Sequence, residues 1–292
     1  MHILLYSKES NIDNWRYIEI CLQELKKKNI KIYFLEDFYK KIKQKIKKDI
    51  TSTVIKKLSH NEKVDFIISF GGDGTMLSAA NIIKDYHIPM IGVNTGRLGF
   101  LANVAKNNIK NLIQDLENKN FTVSKRSLID IVIKPELKHK TTYFALNELS
   151  ICGEENSMIN IMVYLNGNYL NKYWGDGLII STPTGSTGYS LSCGGPIIMP
   201  DTTNFIITPI ASHNLNVRPL IISDQNELKL ELDKRFKTFK LSIDGVPYDL
   251  THKHIIYIKK STSCINLLIT KENDYLSTLR NKLLWGLDKR NS

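Results

Sequence analysis

Cysteine is sparse in this 292-residue chain, and Cys21, Cys152, Cys193 and Cys264 lie too far apart to form a Cys-x-x-Cys redox motif or a close metal-ligand pair. The spacing predicts reduced, mostly buried thiols in the cytosol. Long apolar runs are missing too. The N-terminal run Met1-His2-Ile3-Leu4-Leu5-Tyr6-Ser7 meets Lys8 and Glu9 before it is long enough for a signal peptide. The longest uncharged stretch, Gly177 to Pro200, is full of Gly, Ser, Thr and Pro and would make a poor transmembrane helix. A cytoplasmic protein without a membrane partner is the expectation. There is no repeat of fixed period and no low-complexity linker.

What is present is a globular composition, 42% hydrophobic with mixed charge, over a length sufficient for two domains with sizeable cores. The net charge of +11 favours anionic ligands. Its lysines are scattered or grouped, as in Lys26-Lys27-Lys28 and between Lys40 and Lys48, on predicted helix faces without interleaved stacking aromatics. That pattern is a solvated face rather than a nucleic-acid surface, so no nucleic-acid partner is expected.

Up to about Ser124 strands alternate with helices. His2 to Ser7 reads as a strand, and Asn14 to Lys28 as an amphipathic helix with Trp15, Ile18, Cys21, Leu22 and Leu25 on one face. Lys31 to Leu35 reads as a strand, Phe38 to Leu58 as a lysine-rich helix, and Asp65 to Phe70 as a buried strand. A helix to about Asp85 and a strand over Pro89 to Val93 complete an α/β pattern that implies a parallel sheet with right-handed crossovers. After Ser124 the pattern changes to short β-type runs: Leu128 to Ile133, Tyr143 to Ile151, Ile159 to Tyr164, Leu178 to Ser181, Phe205 to Ile210, Leu228 to Leu232, Leu241 to Ile243 and His254 to Ile258. These predict a mostly antiparallel β domain, followed by a final helix over Asn273 to Leu284.

Gly71-Gly72-Asp73-Gly74-Thr75 stands between a strand and a helix, the order of a phosphate cradle. It is neither a Rossmann fingerprint, because Leu77 replaces the third glycine, nor a Walker loop, because no Gly-Lys-Ser/Thr follows. A carboxylate among the glycines repels bare phosphate unless it holds a divalent metal or takes a proton from an attacking hydroxyl. The plain alternative is a turn with an Asp cap. The sequence Gly-Gly-Asp-Gly-Thr resembles a signature shared by NAD kinases, diacylglycerol and sphingosine kinases and ATP-dependent phosphofructokinases, which implies phosphoryl transfer to an alcohol.

Later stretches narrow the choice. Asn94 to Leu101 leaves the neighbouring strand as a second candidate wall of the pocket. Asn147-Glu148 pairs an amide with a carboxylate inside a β run, where neighbouring side chains point to opposite faces. The run from Leu178 to Pro196, dense in hydroxyls and glycines and holding Tyr189, fits a polar pocket with a ring to cover a flat base. Together with Asp176-Gly177, His213, Arg218-Pro219-Leu220 and Asp244-Gly245, these motifs resemble a bacterial NAD kinase in order and spacing over most of the chain.

The resemblance implies a Rossmann-like α/β domain over 1–124, a β-rich NAD-binding domain over 125–268 and a tail, 269–292, that returns toward the first domain. The implied activity is transfer of a phosphoryl group from ATP, or polyphosphate, to the 2′-hydroxyl of the adenosine ribose of NAD, giving NADP. Asp73 is then the proton acceptor, with Gly74 beside the ribose. Asn147 and Glu148 contact adenine and ribose groups, Asp176 lies in the dinucleotide site, and Thr187, Gly188, Tyr189, Ser190, Leu191 and Ser192 wrap the adenosine. A divalent cation, by default magnesium, arrives with the nucleotide, since no protein metal cage is visible. The resemblance also suggests a homodimer or homotetramer.

Gly188 stands where an alanine is expected, which should loosen that loop, and Val246 follows Asp244-Gly245 where a glutamine is common in relatives. Asp244-Gly245 also reads as a hairpin turn. Trp174 reads mainly as packing, while His213 and Arg218 suit a phosphate contact or a structural role. Two other readings stay open: a kinase of a lipid or sugar phosphate, and a binding protein without turnover.

Overall fold

In the computed structural model, residues 1–8, 15–46, 51–96, 99–154, 157–271 and 274–284 are described. Asn14, the lysines at 47 and 48, Arg97, Leu98 and Asn273, all included in the sequence expectations, lie outside the described residues. The chain divides into two compact units, one of residues 1–125 with 265–292 and one of 126–264.

The first unit is the predicted α/β layer. Its elements are β1 (His2–Ser7), α1 (Trp15–Lys27), β2 (Lys31–Leu35), α2 (Glu36–Lys45), β3 (Thr53–Ile55), β4 (Phe66–Gly71), α3 (Asp73–Ile83), β5 (Met90–Asn94), β6 (Val104–Ala105) and α4 (Ile109–Asn118). The parallel order β6-β5-β4-β1-β2-β3 follows from strands buried on both faces, such as Phe66-Ile67-Ile68-Ser69-Phe70-Gly71. Ile18, Cys21, Leu22 and Leu25 of α1 are buried, with Trp15 half-buried against the same core. The expected lysine-rich helix to Leu58 ends earlier, at Lys45, and the β-branched run Thr53-Val54-Ile55 pairs with β2 instead. Lys26, Lys27, Lys40, Lys43 and Lys45 are exposed, as a solvated face requires.

The second unit is β-rich. It follows β7 (Phe121–Leu137), which begins before the boundary, with β8 (Lys140–Ala145), β9 (Glu148–Gly153), β10 (Ile159–Leu165), β11 (Asn168–Gly175) and β12 (Gly177–Ser181). A 3-10 turn, Thr184–Thr187, and the single-turn α5 (Tyr189–Ser192) precede β13 (Asn204–Ile210), β14 (Leu220–Ser223), β15 (Leu228–Leu232), β16 (Thr238–Ile243), β17 (Val246–Thr251) and β18 (Ile255–Thr270). One antiparallel sheet runs β14-β13-β12-β9-β16-β17. A second antiparallel set joins β11, β10, β15 and the first part of β18. Alternating residues such as Leu149, Ile151, Leu178, Ile180, Phe239 and Leu241 form the core of this unit.

The last helix, α6 (Tyr275–Leu283), is capped by Asp274, whose Oδ1 accepts the Ser277 N–H at 2.9 Å. Leu279 is buried, but Leu276 and Leu284 are exposed, so only part of the predicted apolar stripe is packed. The thiols also depart from expectation: Cys21 alone is buried, on the apolar face of α1, and Cys152, Cys193 and Cys264 are half-buried. Among the described residues no helix is long and apolar enough to cross a membrane.

Candidate active site

Asp73 sits at the carboxyl end of β4, on the first residue of α3. Of the three glycines around it only Gly71 has positive φ, at +154°. Gly72 is the N-cap and Gly74 lies within the first helical turn. The motif is therefore a helix start rather than an open cradle, and it is not a side-chain cap either. The Asp73 carboxylate reaches the loop after β5, where Oδ2 accepts the Phe100 N–H at 2.9 Å and Oδ1 accepts those of Leu101 at 3.0 Å and Ala102 at 2.9 Å. Oδ1 is thereby filled, and Oδ2 keeps one lone pair for a further donor.

Close approach makes this clamp possible. A Cβ on Gly99 would lie 1.9 Å from Asp73 Oδ1, so only glycine admits the carboxylate. Asn94, buried at the end of β5, donates from Nδ2 to the Ala102 carbonyl at 3.1 Å and accepts the Gly96 N–H at 2.8 Å. The two loops predicted as pocket walls are thus joined, through a carboxylate and an amide. Phe100 is half-buried, with its ring centroid 6.4 Å from that of Tyr275.

In the second unit the expected β run over Tyr143 to Ile151 is broken. The chain leaves β8 at Ala145 and enters β9 at Glu148, and Asn147 lies in the bend. The side chains of Asn147 and Glu148 consequently converge instead of facing opposite ways. A Cβ on Gly188 would stand 2.8 Å from Glu148 Oε2 and 3.7 Å from Asn147 Nδ2. Rather than loosening its loop, Gly188 leaves room for the Glu148 carboxyl, and its N–H is bonded to the Gly185 carbonyl at 2.8 Å. Asn147 Oδ1 and Glu148 Oε2 are both buried and have no hydrogen-bond partner among the described residues, as does Thr184 Oγ1. Such atoms are costly unless a ligand or water satisfies them. Burial, then the nearby Asp244 carboxylate, push the Glu148 carboxyl up to about 7 against the opposing Tyr189 N–H bond.

The hydroxyl-rich run only partly lines this pocket. Ser186 Oγ donates to the Pro183 carbonyl at 2.7 Å and accepts the Ile198 N–H at 3.1 Å; Ser190 Oγ bonds Thr208 Oγ1 at 2.8 Å. Thr187 Oγ1 donates to the Thr184 carbonyl at 3.3 Å. These hydroxyls hold the turn itself, because buried polar groups must be satisfied locally. Tyr189 is 42% exposed; its backbone N–H faces the Glu148 carboxyl, while its phenol lies near Cys193, Cys152 and Asp176. Leu191 and Ser192 complete α5. Asp176, between β11 and β12, is exposed, with its backbone carbonyl accepting the Gly153 N–H at 3.1 Å.

Asp244, which the sequence left undecided, forms the two-residue turn from β16 to β17 with φ of +46°, followed by Gly245 at +80°. Its carboxylate also accepts the N–H groups of Leu146, Asn147 and Glu148. Trp174 is not packing: it is 44% exposed, with its ring 5.0 Å from that of His213. Arg218 donates from Nη1 to the carbonyls of Leu215 and Val217. Val246 is exposed. Among the described residues no group of three or more His, Cys, Asp and Glu side chains could hold a metal ion.

Comparison with known proteins covers the same regions. The family model for the ATP-NAD kinase N-terminal domain matches residues 4–121, and that for the C-terminal domain matches 146–269. The NAD kinase of Christiangramia forsetii is 42% identical over 296 residues, with full coverage (100%) of both chains. That of Flavobacterium psychrophilum is 47% identical over 249 residues, covering 84% of this chain and 85% of its own. The crystal structure of yeast NADH kinase complexed with NADH superposes with a TM-score of 0.89 at 22% identity, covering 100% of this chain and 89% of the other, which establishes the shared fold.

Proposed function

The chain belongs to the NAD kinase family, and from that premise we propose that it transfers the terminal phosphoryl group of ATP to the 2′-hydroxyl of the adenosine ribose of NAD, giving NADP. The observation that carries this reading is the pair of buried, unpartnered acceptors, Asn147 Oδ1 and Glu148 Oε2, with the exposed Tyr189 following the Gly188 that makes room for them. An adenosine offers what they lack: an exocyclic amine, sugar hydroxyls and a flat base to stack. Residues Thr187 to Ser192 wrap it, and Asp176 contributes to the dinucleotide site.

Asp73 is the proton acceptor, through the free lone pair of Oδ2, with Gly74 beside the ribose. A ribose hydroxyl is a weak acid, so its proton leaves late, as the bond to phosphorus forms, and a fixed carboxylate then gives about 10²- to 10⁴-fold. Alignment of hydroxyl and phosphate contributes more. The divalent cation, magnesium, enters with the triphosphate as part of the substrate. The protein is cytoplasmic and assembles as a homodimer or homotetramer, which light scattering would test.

Purified protein incubated with NAD, ATP and magnesium should form NADP, read with an NADP-specific dehydrogenase; polyphosphate in a parallel reaction tests the alternative donor. Absence of NADP with either donor would reject the function. Asp73→Asn should bind NAD within a few-fold of wild type yet lose at least about 10²-fold in turnover. Near-normal turnover would remove Asp73 from the role.

A further inference from the structure

Three successive backbone N–H groups, those of Leu146, Asn147 and Glu148, converge on the Asp244 carboxylate: Oδ2 at 2.7 Å from the first, Oδ1 at 2.9 and 3.1 Å from the second and third. In a regular strand successive N–H groups point to alternate sides, so one acceptor cannot take all three. Their convergence means that the chain curls around the anion as a backbone nest. The carbonyls of the same bend are tied from another element: Thr182 Oγ1 donates to the Leu146 carbonyl at 2.6 Å, and the Thr182 N–H to that of Asn147 at 2.9 Å. A Cβ on Gly185 would lie 2.1 Å from the Asn147 carbonyl oxygen, so this packing leaves the bend no room to move toward that turn. The Asp244 N–H in turn donates to the Glu148 carbonyl at 3.0 Å, locking the turn to the start of β9.

We propose that Asp244 is a positioning residue for the adenosine half of NAD, acting through the bend at 146–148 to bring the side chains of Asn147 and Glu148 to one point. The proposal rests on the reading of that pocket as the NAD site. Asp244 touches no substrate. Its carboxylate determines where two contacting side chains start from, and without it the segment can straighten toward ordinary β pairing, sending the two side chains to opposite faces.

The test compares Asp244→Asn, Asp244→Ala and Gly245→Ala with wild type by steady-state kinetics, NAD calorimetry and thermal unfolding. Asparagine keeps Oδ1 for Asn147 and Glu148 but sets an amide donor against the Leu146 N–H. Asp244→Asn should raise KM and Kd for NAD several-fold and Asp244→Ala about 10- to 100-fold, with KM for ATP within about two-fold and kcat recovered at high NAD. Gly245→Ala strains the same turn at positive φ without touching the carboxylate, so it should lower Tm and leave KM for NAD unchanged. A folded Asp244→Ala protein with wild-type NAD affinity would overturn the proposal, as would a Gly245→Ala protein whose KM for NAD rises as its Tm falls. Failure of both Asp244 variants to fold would overturn it too, by making the residue one of stability alone. Failure of the NAD reading is separate: wild-type protein would then show no NAD binding at all.

Discussion

Glu148 and Asp244 are carboxyl groups enclosed close together, and both are pushed above the ordinary carboxylate range, chiefly by burial. For Glu148, whose value in the fold is about 7, the sign is unambiguous. The folded protein prefers it protonated, so its contribution to stability is complete below the unfolded value near 4.5 and is lost as pH rises through about 7. The size of that loss is about 3 kcal/mol. Glu148→Gln should therefore match wild type in urea midpoint near pH 4 and exceed it near pH 8. Parallel pH profiles for the two proteins would contradict the assignment. NAD binding should oppose this loss by supplying a donor to the Oε2 atom that lacks a partner.

At the scale of elements, two aspartates use the same device. Asp73 gathers the N–H groups of Phe100, Leu101 and Ala102, and Asp244 gathers those of Leu146, Asn147 and Glu148. Each carboxylate crosses from one element to a bend far away in sequence. Gly99→Ala tests the first clamp: its new Cβ would occupy the place of Asp73 Oδ1, forcing the carboxylate off Leu101 and Ala102. An ångström of displacement at a reacting group costs roughly 10²-fold. The expected result is a kcat loss of that order with KM for NAD within a few-fold. Unchanged kcat in a folded Gly99→Ala protein would show that the clamp has no part in turnover. Element length was legible for several strands inside the sheets, whether buried on both faces like β4 or on alternate residues like β15, whose ends Leu228 and Leu232 match the apolar run. β4 and β5 were read within a residue of their ends, whereas β3, β11, β14 and β17 went unread. Those four end the strand orders, and an edge strand needs no continuous apolar run. For β11 a signal did exist in the Asn166-Gly167 turn, at φ of +49° and +82°.

For the whole molecule, the proposal that magnesium travels with the nucleotide has a direct consequence. NAD at about one hundred times its Kd should stabilise the protein by about 2.7 kcal/mol, a rise in Tm of roughly 5 °C for a chain of this size. The rise should be the same with EDTA present, while NADP formation should stop. Loss of the NAD-induced shift in EDTA would place a metal in the dinucleotide site itself. The charge of +11 does not determine the function: the lysines of α1 and α2 form exposed helix faces, and Lys40 pairs with Glu36 at 2.8 Å.

By itself the sequence determined β1, α1, β2, α2, β4, α3 and β5 of the first unit in their order, though not β3, β6 or α4, together with the change to β structure after about residue 124 and the family, because periodicity and contiguous motifs are local properties of a chain. It also placed Asp73, Asn147 and Glu148 among the residues of interest. It did not show that Asp73 is held by a loop whose N–H groups lie 27 to 29 residues away, or that Asp244 bends a segment 96 to 98 residues before it. Those facts were decided by tertiary structure, since a carboxylate selects its backbone donors by proximity in space and leaves no spacing rule in the sequence. The same holds for the hydroxyls after Ser181. Composition made them a pocket lining, and packing turned most of them onto nearby backbone groups and, for Ser190, onto Thr208.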